Sequence, residues 1–154
     1  MRRRRPEKRQ ILPDPLFNSL SIAKFINYIL YNGKKGVSEK IFYEAMNIIK
    51  SKTKKDGTDI FDIAIKNASP LLEVKTRRIG GANYQVPIEV PKNRQFFLAS
   101  KWIISSAKGR SGKSMSERLA TEFISAANNE GGAIKKKEDV HRMAEANRAF
   151  AHFR

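Results

Sequence analysis

The chain has 154 residues, with 31 Lys and Arg against 15 Asp and Glu, a net charge of +16, and no cysteine. The length suits one packed core of several helices, and the missing cysteines exclude disulfides and cysteine-ligated metals. The charge points to a polyanionic partner, nucleic acid ahead of an anionic membrane surface, with a merely solvated surface as the plainer alternative.

The chain opens with MRRRRPEKRQ, six basic side chains and one acidic. It has no apolar stretch behind it, so it does not read as a secretory signal, and it lacks the serines of a transit peptide. It is too charged and too proline-interrupted to fold alone, and it reads as an arm laid along phosphate backbone. The longest apolar runs, Tyr28–Tyr31 and Phe96–Ala99, hold four residues, against about 20 for a membrane-spanning helix.

Ile22, Phe25, Ile26, Ile29 and Leu30 repeat at helical spacing behind Asn18 or Ser19 as cap, and Asn32-Gly33 stops the run. After Gly36, the stripe Ile41, Ala45, Ile48 and Ile49 predicts a second helix that frays near Lys54–Gly57. Thr58 is the expected cap of a third, with Phe61, Ala64, Ile65 and Ala68 inward and Ser69-Pro70 at its end. The period then changes. Leu72, Val74 and Thr76 alternate, as do Tyr84, Val86, Ile88 and Val90, with Gly80-Gly81 between them, which predicts a β-hairpin. Pro87 cannot donate to a ladder, so its strand needs an open edge. A lone two-stranded ribbon is marginal in water, so an arm of this kind leans on what it binds.

Helices resume after Pro91. Phe96, Ala99, Ile103 and Ala107 share a face, with Trp102 beside it as a core residue. Ser114 and Glu117 form a capping box before Leu119, Phe123 and Ala127, and Gly131-Gly132 ends that helix. A last helix, about Ile134–Arg148, places Val140, Met143, Ala144 and Asn147 on one side. Lys135, Lys136 and Lys137 near its start oppose the helix dipole, which calls for a nearby anion. The fold class is therefore mainly α: about six helices, with one protruding β-hairpin between the third and fourth.

The basic charge is segmental. Residues 34–56 carry seven basic and three acidic side chains, 72–94 five and two, and 108–118 four and one. The stretch AKGRSGKS resembles a phosphate loop, but G-x-x-x-x-G-K-[ST] would need glycine at Ala107, and the preceding WIISSA reads as helix. A flexible basic loop meeting phosphates is the better reading. His141 and His152 are the only histidines and lack metal-ligand spacing, and nothing places a catalytic triad. Tyr84 on the ribbon could stack on a base, although cross-strand packing explains it more simply.

Four ordered blocks carry a resemblance to a known family. They are ILPDPLFNSLSIAKFINYILYNGKKGVSEKIFYEA at 11–45, RRIGGANYQVPIEV at 77–90, GKSMSERLA at 112–120 and KKKEDVHRMAEANRAFAHFR at 135–154. Together they resemble small-subunit ribosomal protein seven of the bacterial and organellar kind. Ile79 and Asn83 stand where that family usually has valine and a small residue, and many members continue past the position of Arg154 with Trp and a basic extension.

The resemblance implies a non-enzymatic constituent of the small (30S) subunit. It implies primary binding to the three-prime domain of 16S-type ribosomal RNA, nucleating assembly of the subunit head. It also implies a site near the exit-site transfer RNA and the messenger path, with small-subunit proteins nine and eleven as neighbours. No metal, cofactor, small-molecule substrate or membrane is implied, and the ribosome would be cytoplasmic or, alternatively, that of a plastid or other organelle. Residues 1–154 would act as one RNA-binding domain, with 1–12 as a basic arm and 72–91 as a hairpin arm.

The RNA contacts expected are Arg2, Arg3, Arg4, Arg5, Lys8, Arg9, Lys34, Lys35, Arg77, Arg78, Arg94, Lys108, Arg110, Lys113, Lys135, Lys136, Lys137, Arg142 and Arg148. Gly80, Gly81, Asn83 and Tyr84 would form the transfer- and messenger-RNA side of the hairpin, with Val140–Phe153 beside it. From the residues alone, the rival is a DNA architectural protein with a basic β-arm.

Overall fold

The computed structural model describes residues 7, 9–112 and 114–153, and the chain divides into two compact units, 1–39 and 40–154. In the first unit, the Asp14 carboxylate accepts the amides of Leu16 and Phe17, both at 3.1 Å. That Asx turn leads into α1, Leu20–Ile29, which buries Ile22, Phe25 and Ile26. Ser19 holds the N-cap position, but its hydroxyl meets Ser21 rather than a helix amide. Left-handed Asn32 and Gly33 turn the chain. The next helix, α2, spans Lys35–Thr53, so it starts one residue before Gly36 rather than after it.

In the second unit, the buried stripe of α2 is Phe42, Ala45, Met46 and Ile49. Ile41 and Ile48 are only half-buried. The helix is rotated from the expected phase because Phe42, not Ile41, enters the core. Phe42, Phe61 and Phe123 meet edge to face, with centroids 5.5–6.4 Å apart, the geometry that ring quadrupoles favour. Phe61 belongs to α3, Gly57–Ala68, whose cap is Asp56, accepting from the Thr58 amide at 3.3 Å. The sequence reading placed the cap two residues late. The aspartate wins because it stands outside the helix, where its oxygen reaches the second helical amide.

The hairpin lies between the third and fourth helices, as expected. Strand β1, Leu72–Ile79, pairs antiparallel with β2, Ala82–Glu89. Gly80 and Gly81 have φ of +56° and +91°, as a two-residue primed turn requires. The Val90 amide donates to Leu71 O at 3.0 Å. By alternation, 73/88, 75/86, 77/84 and 79/82 are the hydrogen-bonded pairs and 74/87 is not. Pro87, opposite Val74, therefore turns its missing N–H to the open edge.

Helices α4, Lys92–Gly109, and α5, Met115–Ala127, follow. Ala99, Ile103, Ile104 and Ala107 are buried on α4, while Phe96 and Trp102 are half-buried. Ser114 accepts the Glu117 amide at 3.2 Å, as the capping box predicts. Helix α6 runs Gly132–Ala146, and a 3-10 turn follows at Arg148–Phe153. The last helix thus ends two residues before the expected Arg148, where Asn147 folds its side chain back onto Met143 O at 2.8 Å. Of the face expected there, Ala144 is buried and Met143 is exposed.

The start of α6 meets a carboxylate of the protein itself, at its amide end rather than at Lys135–Lys137. Glu122 of α5 is fully buried. One oxygen accepts the Ala133 amide at the start of α6, at 3.0 Å, and the other meets Arg110 Nε at 2.5 Å. Arg110 also donates to Ser125 Oγ at 3.0 Å. A side chain on Gly131, whose φ is +93°, would lie 3.1 Å from the Glu122 oxygen and 3.2 Å from the Arg110 guanidinium. Glycine is what lets the helix start come this close.

Two predictions follow from these contacts. Glu122→Ala strands Arg110 and the α6 amide together, and should cost about 3–5 kcal/mol in urea unfolding. Glu122→Gln, which keeps an acceptor for Ala133, should cost less, and a loss under about 1 kcal/mol for the alanine variant would refute the role. His141 Nε2 accepts the Leu71 amide at 3.0 Å, so its proton sits on Nδ1. Burial first, and the nearby Lys137 second, lower its pKa below 6.5. The unfolded chain then binds the proton more readily, so stability present above about pH 6.5 is lost as pH falls through the folded value. Melting temperature measured against pH should show this decline, and His141→Ala should flatten it.

Candidate nucleic-acid interface

Two kinds of cation emerge. The first kind is committed within the fold. Arg110 is held by Glu122. Arg94, on the first turn of α4, donates from Nε and Nη2 to Glu73 of β1, both at 3.3 Å, and lies 5.2 Å from the Phe97 ring centroid. It fastens the base of the hairpin. Lys137 donates to Asn67 O in the last turn of α3, at 2.7 Å, where a cation complements the helix dipole. Each of these three expected RNA contacts already holds a protein partner, Arg94 in solvent and Arg110 and Lys137 half-buried. Arg118 also works internally, reaching Ser114 O and Lys108 O at 3.3 Å and so bracing the loop between α4 and α5.

The second kind is exposed and makes no ion pair within the described residues: Lys34 before α2, Arg77 and Arg78 near the hairpin tip, Lys108 at the end of α4, and Lys135 and Lys136 on the first turns of α6. Arg77 lies opposite Tyr84 and Arg78 opposite Asn83. Consecutive strand residues face opposite ways, so the two arginines present charge on both faces of the ribbon. Gly80, Gly81 and Asn83 are exposed, while Tyr84 is half-buried, its ring 5.5 Å from that of Phe150.

Lys35, Arg142 and Arg148 stand between the two kinds. They pair with Glu39 at 3.6 Å, Asp139 at 2.5 Å and Glu145 at 3.5 Å, all across one helical turn and largely in solvent. Pairs of this sort are worth about 0–1 kcal/mol, so a phosphate can displace the carboxylate. Arg9 and Lys35 flank a groove of about 600 Å³ in the first unit, floored by Ala23 and Ile26. Arg2, Arg3, Arg4, Arg5, Lys8 and Lys113 lie outside the described residues.

Residue-level reading missed Lys50, Lys52, Lys54 and Lys55, all exposed around the end of α2. Lys54 takes a left-handed φ of 57° there, and its amide still reaches Lys50 O. The charge excess over 34–56 was the available signal. Lys52 also borders a hollow of about 240 Å³ with Ser111, Gly112 and Arg118. Among the described residues, no group of three or more His, Asp or Glu is arranged to hold a metal ion, and no helix is long and apolar enough to cross a membrane.

Comparison with known proteins identifies the family. Residues 1–148 match the family described as ribosomal protein S7p/S5e. The small ribosomal subunit protein uS7 of Thermotoga maritima is 57% identical over 154 residues, covering 100% of this chain and 99% of that protein. Those of Teredinibacter turnerae and Caldanaerobacter subterraneus are 53% and 55% identical, covering 99% and 96% of this chain and 98% and 94% of theirs. With fold, charge and sequence in agreement, the chain belongs to the bacterial type of the ribosomal protein S7p/S5e family, a structural, non-enzymatic component of the small ribosomal subunit.

Proposed function

We propose that the chain binds the three-prime domain of 16S-type ribosomal RNA directly and nucleates folding of the subunit head. One observation carries this reading: uncommitted cations stand on separate elements away from the hairpin tip, at Lys34, Lys108, and Lys135 and Lys136. Cations on separate elements can neutralise phosphates of RNA segments that are distant in sequence. Holding those segments together lowers the free energy of the folded junction. RNA double helices hide their bases in a narrow groove, so recognition is mainly of shape and backbone.

In this reading residues 1–154 act as one RNA-binding domain, with the basic N-terminal residues and the hairpin as arms. The hairpin and the end of α6 lie near the exit-site transfer RNA and the messenger path. Small-subunit proteins nine and eleven are neighbours, and the particle is cytoplasmic. The family assignment replaces the DNA-architectural alternative.

The test is binding of the chain to a three-prime-domain RNA fragment across a salt series. The log–log slope should be steep, and it should fall by about 1 for each phosphate-contacting cation removed. Lys135→Ala with Lys136→Ala should therefore flatten it by about 2, whereas Arg94→Ala and Arg110→Ala should change stability more than slope. A response flat in salt would overturn the electrostatic account. Arg77→Ala with Arg78→Ala should leave fragment binding largely intact while weakening contacts at the exit site in assembled particles. Loss of fragment binding in that variant would make the tip a primary RNA anchor instead.

A further inference from the structure

Asn32-Gly33, which turns the chain between α1 and α2, is the one place in the sequence where glycine follows asparagine. The pair has a chemistry of its own. The backbone amide after an asparagine can attack the side-chain carbonyl and close a five-membered ring. Glycine hinders that attack least, because no Cβ stands beside its nitrogen. The structure leaves the pair open. Residues 31–37 are all exposed. Asn32 and Gly33 have φ of +51° and +74°, and the Lys34 amide donates to Tyr31 O at 3.1 Å, a primed turn of two residues. Among the described residues, neither the Asn32 carboxamide nor the Gly33 amide has a hydrogen-bond partner. A side chain built on Gly33 would meet nothing within 4 Å.

Ring closure requires Asn32 to rotate out of the primed turn. One backbone hydrogen bond in solvent spans the pair and opposes that rotation, and such a bond has a small net strength in water. The electrostatic surroundings favour the reaction. The attacking species is the Gly33 amide without its proton, an anion. Lys34 and Lys35 follow directly, and α2 begins at Lys35. Two cations and the positive end of a helix dipole therefore stand next to the anion and to the carboxylate that results.

We propose that Asn32 is a site of spontaneous deamidation and isoaspartate formation, with the Gly33 amide as nucleophile. The Gly33 nitrogen bonds to Asn32 Cγ, the Cγ–Nδ2 bond breaks, and Nδ2 leaves as ammonia with the proton of the Gly33 amide. Water then opens the ring. Addition at Cγ breaks its new bond to nitrogen and restores the backbone, with an aspartate side chain. Addition at the backbone carbonyl carbon breaks the original peptide bond, and the chain then runs through the former side chain as isoaspartate. Either product carries a new negative charge beside Lys34 and Lys35. Aspartate tolerates the left-handed turn, whereas isoaspartate adds a methylene to the backbone and cannot keep it. The modification stands without the RNA-binding reading, and only its effect on binding rests on that reading.

The experiment ages the full-length chain in neutral buffer. The tryptic peptide 25–34 is followed by mass spectrometry, with fragmentation assigning the product to position 32 and enzymatic methylation detecting isoaspartate. Asn129 is the internal control, since it too is exposed and left-handed, with φ of 60°, but is followed by Glu130. Position 32 should convert well before it. Gly33→Ala should slow conversion about tenfold, a modest rise in barrier. Asn32→Gln, which closes a larger ring less readily and keeps glycine in the turn, should remove the product and guards against a folding defect in the alanine variant.

No isoaspartate at position 32, or conversion no faster there than at Asn129, would overturn the proposal. So would an unchanged rate in Gly33→Ala. The three-prime-domain fragment separates the two readings. Converted chain should bind it less tightly than fresh chain, and Asn32→Asp, which keeps the backbone, should stay closer to fresh chain. If position 32 converts and binding does not fall, the modification stands and its effect on RNA falls. If fresh chain fails to bind the fragment, the RNA-binding reading falls first.

Discussion

The buried carboxylate of Glu122 is the constraint on which the second unit depends. A chain with net charge +16 starts its last helix with three nearby lysines, where the helix dipole already presents positive charge. Glu122 answers the helix start from inside the core, giving one oxygen to the Ala133 amide and the other to Arg110. The same residue therefore ties the end of α4 and the start of α6 to α5. The close approach at Gly131 and Gly132, where added side chains would run into Glu122, Arg110 and Ser106, is the steric side of the same arrangement. Once the start of α6 is placed, Lys137 reaches Asn67 O and His141 reaches the Leu71 amide. Those two contacts fasten the passage from α3 into β1. A single buried anion thus sets the helix that sets the root of the hairpin.

The basic side chains divide along the same line. Arg94, Arg110 and Lys137 are engaged by partners within the fold, and the Arg110 contact to fully buried Glu122 is the one where removal of water makes a lost partner most costly. Arg77, Arg78, Lys108, Lys135 and Lys136 remain in solvent at a hairpin tip, a helix end and a helix start. Mobile salt screens this second group within about 8–10 Å, so its contribution is small until a polyanion arrives and releases its counterions. The protein keeps its shape with one set of cations and offers another. Net charge alone does not distinguish them.

This is also why the site was only partly legible in the sequence. Helical and strand periods located all six helices and the ribbon, because each period reflects local geometry. Gly80-Gly81 located the turn for the same reason. The phase of α2 was missed by one residue, since whether Ile41 or Phe42 enters the core depends on Phe61 and Phe123, far along the chain. The sequence shows the charge of Arg110 and Lys137 but not their internal partners. Those partners lie 12 and 70 residues away. That a glutamate of the neighbouring helix accepts the Ala133 amide emerged only when α5 and α6 were placed together.

The hairpin shows how a ribbon that is marginal by itself can carry an exposed tip. Two strands joined by one turn do not hold in water unaided. Here the base is tied to helices by Glu73 with Arg94, by the Leu71 amide with His141, and by the burial of Val86 and Pro87. The Tyr84–Phe150 contact is the last of these supports on the way to the turn. Beyond the Arg77–Tyr84 pair lie only Arg78, Ile79, Gly80, Gly81, Ala82 and Asn83, all exposed. The supported length therefore ends where the exposed tip begins. Tyr84 stands at that boundary, with its ring against Phe150 and its strand neighbours toward the turn in solvent.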